Sequence, residues 1–82
     1  MYLNEVRNIL TDVLNLGPTG ASLTAESPLL GSLPELDSMA VVSLISALEE
    51  HFGIMVDDDE ISASTFATLG SLAAFVQEKR GE

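Results

Sequence analysis

The sequence predicts an all-α fold, a small four-helix bundle of three main helices and one short helix, with a long loop between the first two main helices. Three observations carry this expectation. Apolar residues recur every three or four positions in three separate stretches, the spacing of one helix face. Strand-like alternation of apolar and polar residues is absent, and so are internal repeats. The stretches are separated by glycine, proline and short polar residues, which stop and start helices.

From Tyr2 to Leu16, the residues Leu3, Val6, Leu10, Val13 and Leu14 form one apolar face. Gly17, Pro18 and Gly20 are expected to end this first helix, since glycine reaches left-handed angles at little cost and proline cannot continue the hydrogen-bond ladder. The loop that follows runs to Leu36, long for a small domain. Leu23, Leu29, Leu30, Leu33 and Leu36 give it apolar anchors, so it should pack over the core. Its length would let the helices on either side run in similar directions.

The next main helix should open at Asp37 or Ser38, where a short polar side chain can cap free N–H groups, and end near Gly53. Its core stripe is Val41, Leu44, Ile45, Leu48 and Phe52, which fall within about 100° of arc, with Met39 and Val42 outside it. Ile54 and Val56 then lead into Asp57, Asp58, Asp59 and Glu60, four acids suited to the positive N-terminal end of a short third helix. Ile61 and Phe66 would anchor that element. Thr68 is the expected cap of the last helix, which turns Leu69, Leu72, Ala73 and Val76 inward and frays at Lys79, Arg80 and Gly81.

Eighty-two residues build one core, so residues 1–82 are expected to form a single domain. Only Tyr2, Phe52, Phe66 and Phe75 are aromatic, so aliphatic side chains must fill that core. There is no cysteine and only one histidine, His51, which leaves neither a disulfide nor a metal to staple the fold. The net charge of −10 repels nucleic acid and anionic lipid and favours basic protein surfaces. No run approaches the roughly 20 apolar residues that span a bilayer, and the N-terminus lacks the pattern of a signal peptide. The expected protein is a cytoplasmic monomer with protein partners and no membrane insertion.

Ser38 sits where a helix N-terminus would favour an attached phosphate and where an enzyme could reach its hydroxyl. Taken alone, such a serine is more often a helix cap. The wider pattern points elsewhere. The stretch Leu36-Asp37-Ser38-Met39 opens a helix that continues Val41-Val42-x-Leu44-Ile45-x-Ala47-Leu48-Glu49-Glu50-x-Phe52-Gly53-Ile54. It closely resembles the acyl carrier protein family, whose signature Asp-Ser-Leu stands at the start of the second main helix. Met39 takes the place of the leucine. The resemblance extends over the whole chain, including the long first loop, the acidic third element and the last helix opening Thr68-Leu69.

That resemblance implies a function. Ser38 would carry 4′-phosphopantetheine donated by coenzyme A, and the arm would hold acyl groups as thioesters for partner enzymes. Asp37 would help orient the metal-bound donor in the transferase complex, with magnesium supplied there and no metal kept by the carrier. The implied partners are a phosphopantetheinyl transferase and an acyl ligase or acyltransferase, meeting a surface of Met39, Ala40, Val42, Ser43 and Ser46. In the family's fatty-acid-synthesis members, acids usually stand two and five positions after the modified serine. Here those positions are Ala40 and Ser43, and the stretch from Leu29 to Leu36 is about two residues longer than in those members. Both departures suggest a stand-alone carrier of a specialised bacterial biosynthetic pathway, loaded by a dedicated ligase.

Other readings compete. A D-alanyl carrier shares a Leu-Asp-Ser-Met stretch, whereas peptidyl carriers usually show glycine and histidine ahead of the serine. Met39 and Val42 also fit ordinary surface apolar residues. An unmodified interaction module is a third class. An enzyme is disfavoured, because no nucleophile, base and orienting group stand together and His51 has no such neighbour in sequence. The acids from Asp57 to Glu60 lack the spacing and turn glycine of a calcium loop and read as a solvated helix end.

Overall fold

The computed structural model describes residues 2–29, 31, 33 and 36–81, with the backbone alone at residue 58. Helix α1 spans Leu3–Leu14 and buries Val6, Leu10 and Leu14, successive positions of its apolar stripe, while Leu3, Ile9 and Val13 pack at its edges. Asn15 ends it in the left-handed conformation at φ 55°, its N–H bonded to the Thr11 carbonyl. Gly17 follows at φ 60°, but Pro18 does not simply extend the stop. It is the first residue of a short helix α2, Pro18–Ala21, because its fixed φ and missing N–H suit a helix start. Gly20 is needed for space, since a Cβ there would collide with the Thr11 side chain.

The loop beyond α2 packs as expected, with Leu23, Leu29 and Leu36 buried and Leu33 partly buried. Leu30 lies outside the described residues. The loop is laced to the entrance of the last helix by backbone bonds from Leu29 N–H to the Ala67 carbonyl (3.0 Å), Leu69 N–H to Ser27 (3.0 Å) and Gly70 N–H to Ala25 (2.8 Å).

Helix α3, Ser38–Phe52, buries Leu44, Ile45, Leu48 and Phe52, half-buries Val41, and ends at Gly53 with φ 65°. The third element is shorter than its sequence suggested, a single 3₁₀ turn at Asp58–Glu60. Ser62, Ser64 and Thr65 then bond one another and nearby backbone, the local competition that withdraws such residues from helices. Helix α4, Leu69–Lys79, begins with a capping box. The Thr68 hydroxyl accepts from Ser71 N–H and the Ser71 hydroxyl accepts from Thr68 N–H, both at 3.0 Å. Leu69, Leu72, Ala73 and Val76 face the core.

The end of α4 is tied down instead of frayed. Lys79 Nζ donates to both Glu60 carboxylate oxygens at 2.8 and 2.9 Å, and Arg80 donates to the Phe52 carbonyl at 2.7 Å. The Tyr2 ring lies 5.1 Å from that of Phe52 and 5.5 Å beneath the Arg80 guanidinium. The start of α1 therefore meets the ends of α3 and α4. Contrary to the sequence expectation, α1 and α3 run in opposite directions, and the connection that travels the bundle's length joins α3 to α4. The all-α bundle stands, and among the described residues the β-structure amounts to one isolated bridge, Pro28 to Thr68.

Candidate functional site

The site is built by the entry of the chain into α3. Leu36 is buried and anchors the approach, its N–H bonded to the Leu33 carbonyl at 3.0 Å. Asp37 is extended, at φ −104° and ψ −176°, and is the N-cap. Its carboxylate accepts from Ala40 N–H at 2.8 Å, and its carbonyl accepts from Val41 N–H at 2.9 Å. One acid thus satisfies the donor that a serine cap would otherwise have served.

Ser38 is then the first helical residue, exposed, with a hydroxyl that makes no hydrogen bond among the described residues. Its own N–H and that of Met39 have no partner among those residues either, and the helix dipole points at the same place. A phosphate ester on this hydroxyl would find two backbone donors and the positive end of a fifteen-residue helix. The chemistry of the donor set fits a phosphorylated arm.

The residues expected to form a partner surface separate by exposure. Met39 and Val42 are 76% and 62% exposed, and Ser43 and Ser46 are also exposed. Val42 and Ser43 stand three and four positions from both Met39 and Ser46, so the four share one outward face of α3 beside Ser38. Ala40 is half-buried and packs at the edge of the core. From Ser38 to Leu48 the helix carries no charge, although the chain as a whole stands at −10. The first acid along α3, Glu49, is occupied in accepting from Val56 N–H at 2.8 Å.

Met55, 78% exposed, is an apolar surface residue the sequence reading did not single out. A signal existed, because in Ile54-Met55-Val56 only the middle residue turns outward, the two-residue period of an extended segment. His51 is exposed, its ring edge-on to Phe52 at 4.7 Å. Among the described residues, no group of three His, Asp or Glu side chains is gathered as metal ligands would be. None of the described helices is long and apolar enough to cross a membrane.

Comparison with known proteins places this geometry in context. Residues 4–76 match the family described as "Phosphopantetheine attachment site". An acyl carrier protein of a Sulfurovum species is 32% identical over 74 residues, covering 90% of this chain and 92% of its own. Another from a Picosynechococcus species is 32% identical over 78 residues, covering 95% and 90%. A solution NMR structure of a holo acyl carrier protein from Nitrosomonas europaea superposes with a TM-score of 0.92 at 65% identity, covering 100% of this chain and 99% of that one.

Proposed function

This chain belongs to the phosphopantetheine-attachment family, and we propose that it acts as an acyl carrier whose 4′-phosphopantetheine arm is borne by Ser38. The observation that carries the assignment is the division of labour between neighbours. Asp37 caps the helix, so the Ser38 hydroxyl is left exposed at the first helical position. In the transfer, the Ser38 oxygen forms a bond to phosphorus of coenzyme A, the nucleotide portion leaves, and the hydroxyl proton passes to the transferase. The N–H groups of Ser38 and Met39 would then face the ester phosphate. Once attached, the arm supplies the thiol on which acyl groups ride as thioesters.

Asp37 has a second use in this reading. One carboxylate oxygen is committed to Ala40 N–H, and the other is open to a metal-bound donor brought by the transferase. The chain does not turn over substrate itself. It presents its cargo to a phosphopantetheinyl transferase and then to an acyl ligase or acyltransferase, through Met39, Val42, Ser43 and Ser46, with Ala40 at the edge. The lack of charge along this face supports recognition by shape and apolar contact, in a specialised pathway rather than in housekeeping fatty acid synthesis.

Coexpression with a phosphopantetheinyl transferase, followed by intact-mass measurement, tests the core of the proposal. One arm is expected on the wild type and none on Ser38→Ala, whose helical circular dichroism should be unchanged. An arm on Ser43, Ser46 or any other residue would overturn the assignment.

A further inference from the structure

Away from Ser38, α1 and α3 border an open groove of about 520 Å³, lined by Ile9, Asp12, Val13, Ala47, Glu50 and His51. Its floor is apolar, because Ile9, Val13 and Ala47 are all half-buried and the small Ala47 leaves room above α3. Its rim is acidic. Asp12 and Glu50 are exposed, and neither makes a hydrogen bond or ion pair among the described residues.

The chain has three lysines and arginines, and each is engaged elsewhere. Arg7 donates to the Leu23 carbonyl at 3.0 Å, Lys79 pairs with Glu60, and Arg80 donates to Phe52. None of the three therefore serves this rim, where His51 is the one basic side chain among the lining residues. A second copy would bring the same −10 charge and the same committed cations, and nucleic acid or an anionic membrane would be repelled. What complements an apolar floor between two helices with carboxylates above it is a third helix carrying apolar and basic residues side by side.

We propose that the α1–α3 groove is a docking surface for an amphipathic basic helix of a partner protein, laid with apolar side chains on Ile9, Val13 and Ala47 and lysine or arginine against Asp12 and Glu50. Ala47 and Glu50 stand nine and twelve residues beyond Ser38, roughly 14 to 18 Å along the helix. A partner held in the groove leaves Ser38 accessible, so the inference is independent of the carrier assignment.

The test uses the full-length ¹⁵N-labelled holo protein and two synthetic 18-residue helical peptides. In one, a leucine face is flanked by lysines; in the other, glutamate replaces every lysine. The lysine peptide should bind saturably and shift amide signals of residues 9–13 and 47–51, and the glutamate peptide should not. Asp12→Asn with Glu50→Gln should weaken binding by about 2- to 30-fold, the loss of two rim charge contacts. Asp57→Asn with Asp59→Asn changes net charge equally and should leave binding intact. Equal weakening by the two pairs, or shifts centred on Met39 and Val42 or on residues 57–60, would overturn the proposal. So would the same groove shifts with lysine amide alone, which would mark a site for a small cation. Loading of the groove variant by a phosphopantetheinyl transferase, measured in parallel, reports on Ser38 separately.

Discussion

The Asp37 carboxylate accepts the Ala40 N–H at 2.8 Å, and by doing so it releases Ser38 from the role of helix cap. The two functions can be separated. Asp37→Ala removes the cap and should cost about 1 kcal/mol, lowering Tm by roughly 4–8 °C in a domain of this size. Asp37→Asn keeps a capping oxygen, so its Tm should stay close to wild type. Its rate of phosphopantetheine transfer should still fall, since the negative charge is lost. Differential scanning calorimetry beside a timed mass assay gives both readings, and an unchanged transfer rate in Asp37→Asn would deny the charge a role.

The uncharged face of α3 sets an expectation for partners. Placing acids there with Ala40→Asp plus Ser43→Glu should improve loading by a malonyl transferase of fatty acid synthesis by about 2- to 30-fold, two rim charges' worth. If a dedicated ligase loads this chain, the same change should impair it. If the wild type is already loaded as fast as a fatty-acid-synthesis carrier, the selectivity argument does not survive.

At Gly70 the long loop lies directly against α4. Its N–H bonds the Ala25 carbonyl at 2.8 Å, and a Cβ on Gly70 would sit 2.8 Å from that same oxygen. In an isolated helix, alanine would be favoured by roughly 1 kcal/mol. Here the obstacle is backbone, which cannot swing aside as a side chain would, so overpacking of about 1–3 kcal/mol should win. Gly70→Ala is therefore expected to lower stability in urea denaturation; a gain would show that the loop yields.

Glu60 and Lys79 set a pH dependence. The hydrogen bond from Lys79, then that from Asp57 N–H, hold the Glu60 carboxyl below its ordinary value of 4.5. The Glu60 hydrogen bond raises Lys79 above its ordinary 10.5, against the opposing effect of desolvation. The Glu60 contribution is whole above pH 4.5 and is lost as pH falls through the lowered folded value. The Lys79 contribution is whole below pH 10.5 and is lost as pH rises through the raised one. Both side chains are half-buried and still reached by solvent, which screens the pair, so Glu60→Gln should lower Tm slightly at pH 7 and less at pH 3. An equal loss at both pH values would mean the pair contributes through packing rather than charge.

Local pattern was enough to read most of the helices and the start of α3 at which Ser38 stands exposed. The burial of Leu44, Ile45, Leu48 and Phe52, the Thr68 cap and the exposure of Met39 and Val42 all follow from residues within a few positions of one another. Helix periodicity and capping are short-range physics, and they act the same way in any surrounding. The rest depended on what each residue meets across the fold. Pro18 starts a helix only because Asn15 and Gly17 have already turned the chain. The third element shrinks to one turn because Ser62, Ser64 and Thr65 satisfy nearby backbone themselves. The opposed directions of α1 and α3 follow from Tyr2, Phe52 and Arg80 meeting at one end. The groove between Asp12 and Glu50 joins residues far apart in the chain, and no spacing in the sequence could have announced it. Contacts of that kind are decided by packing, where the whole chain settles which partners each side chain finds.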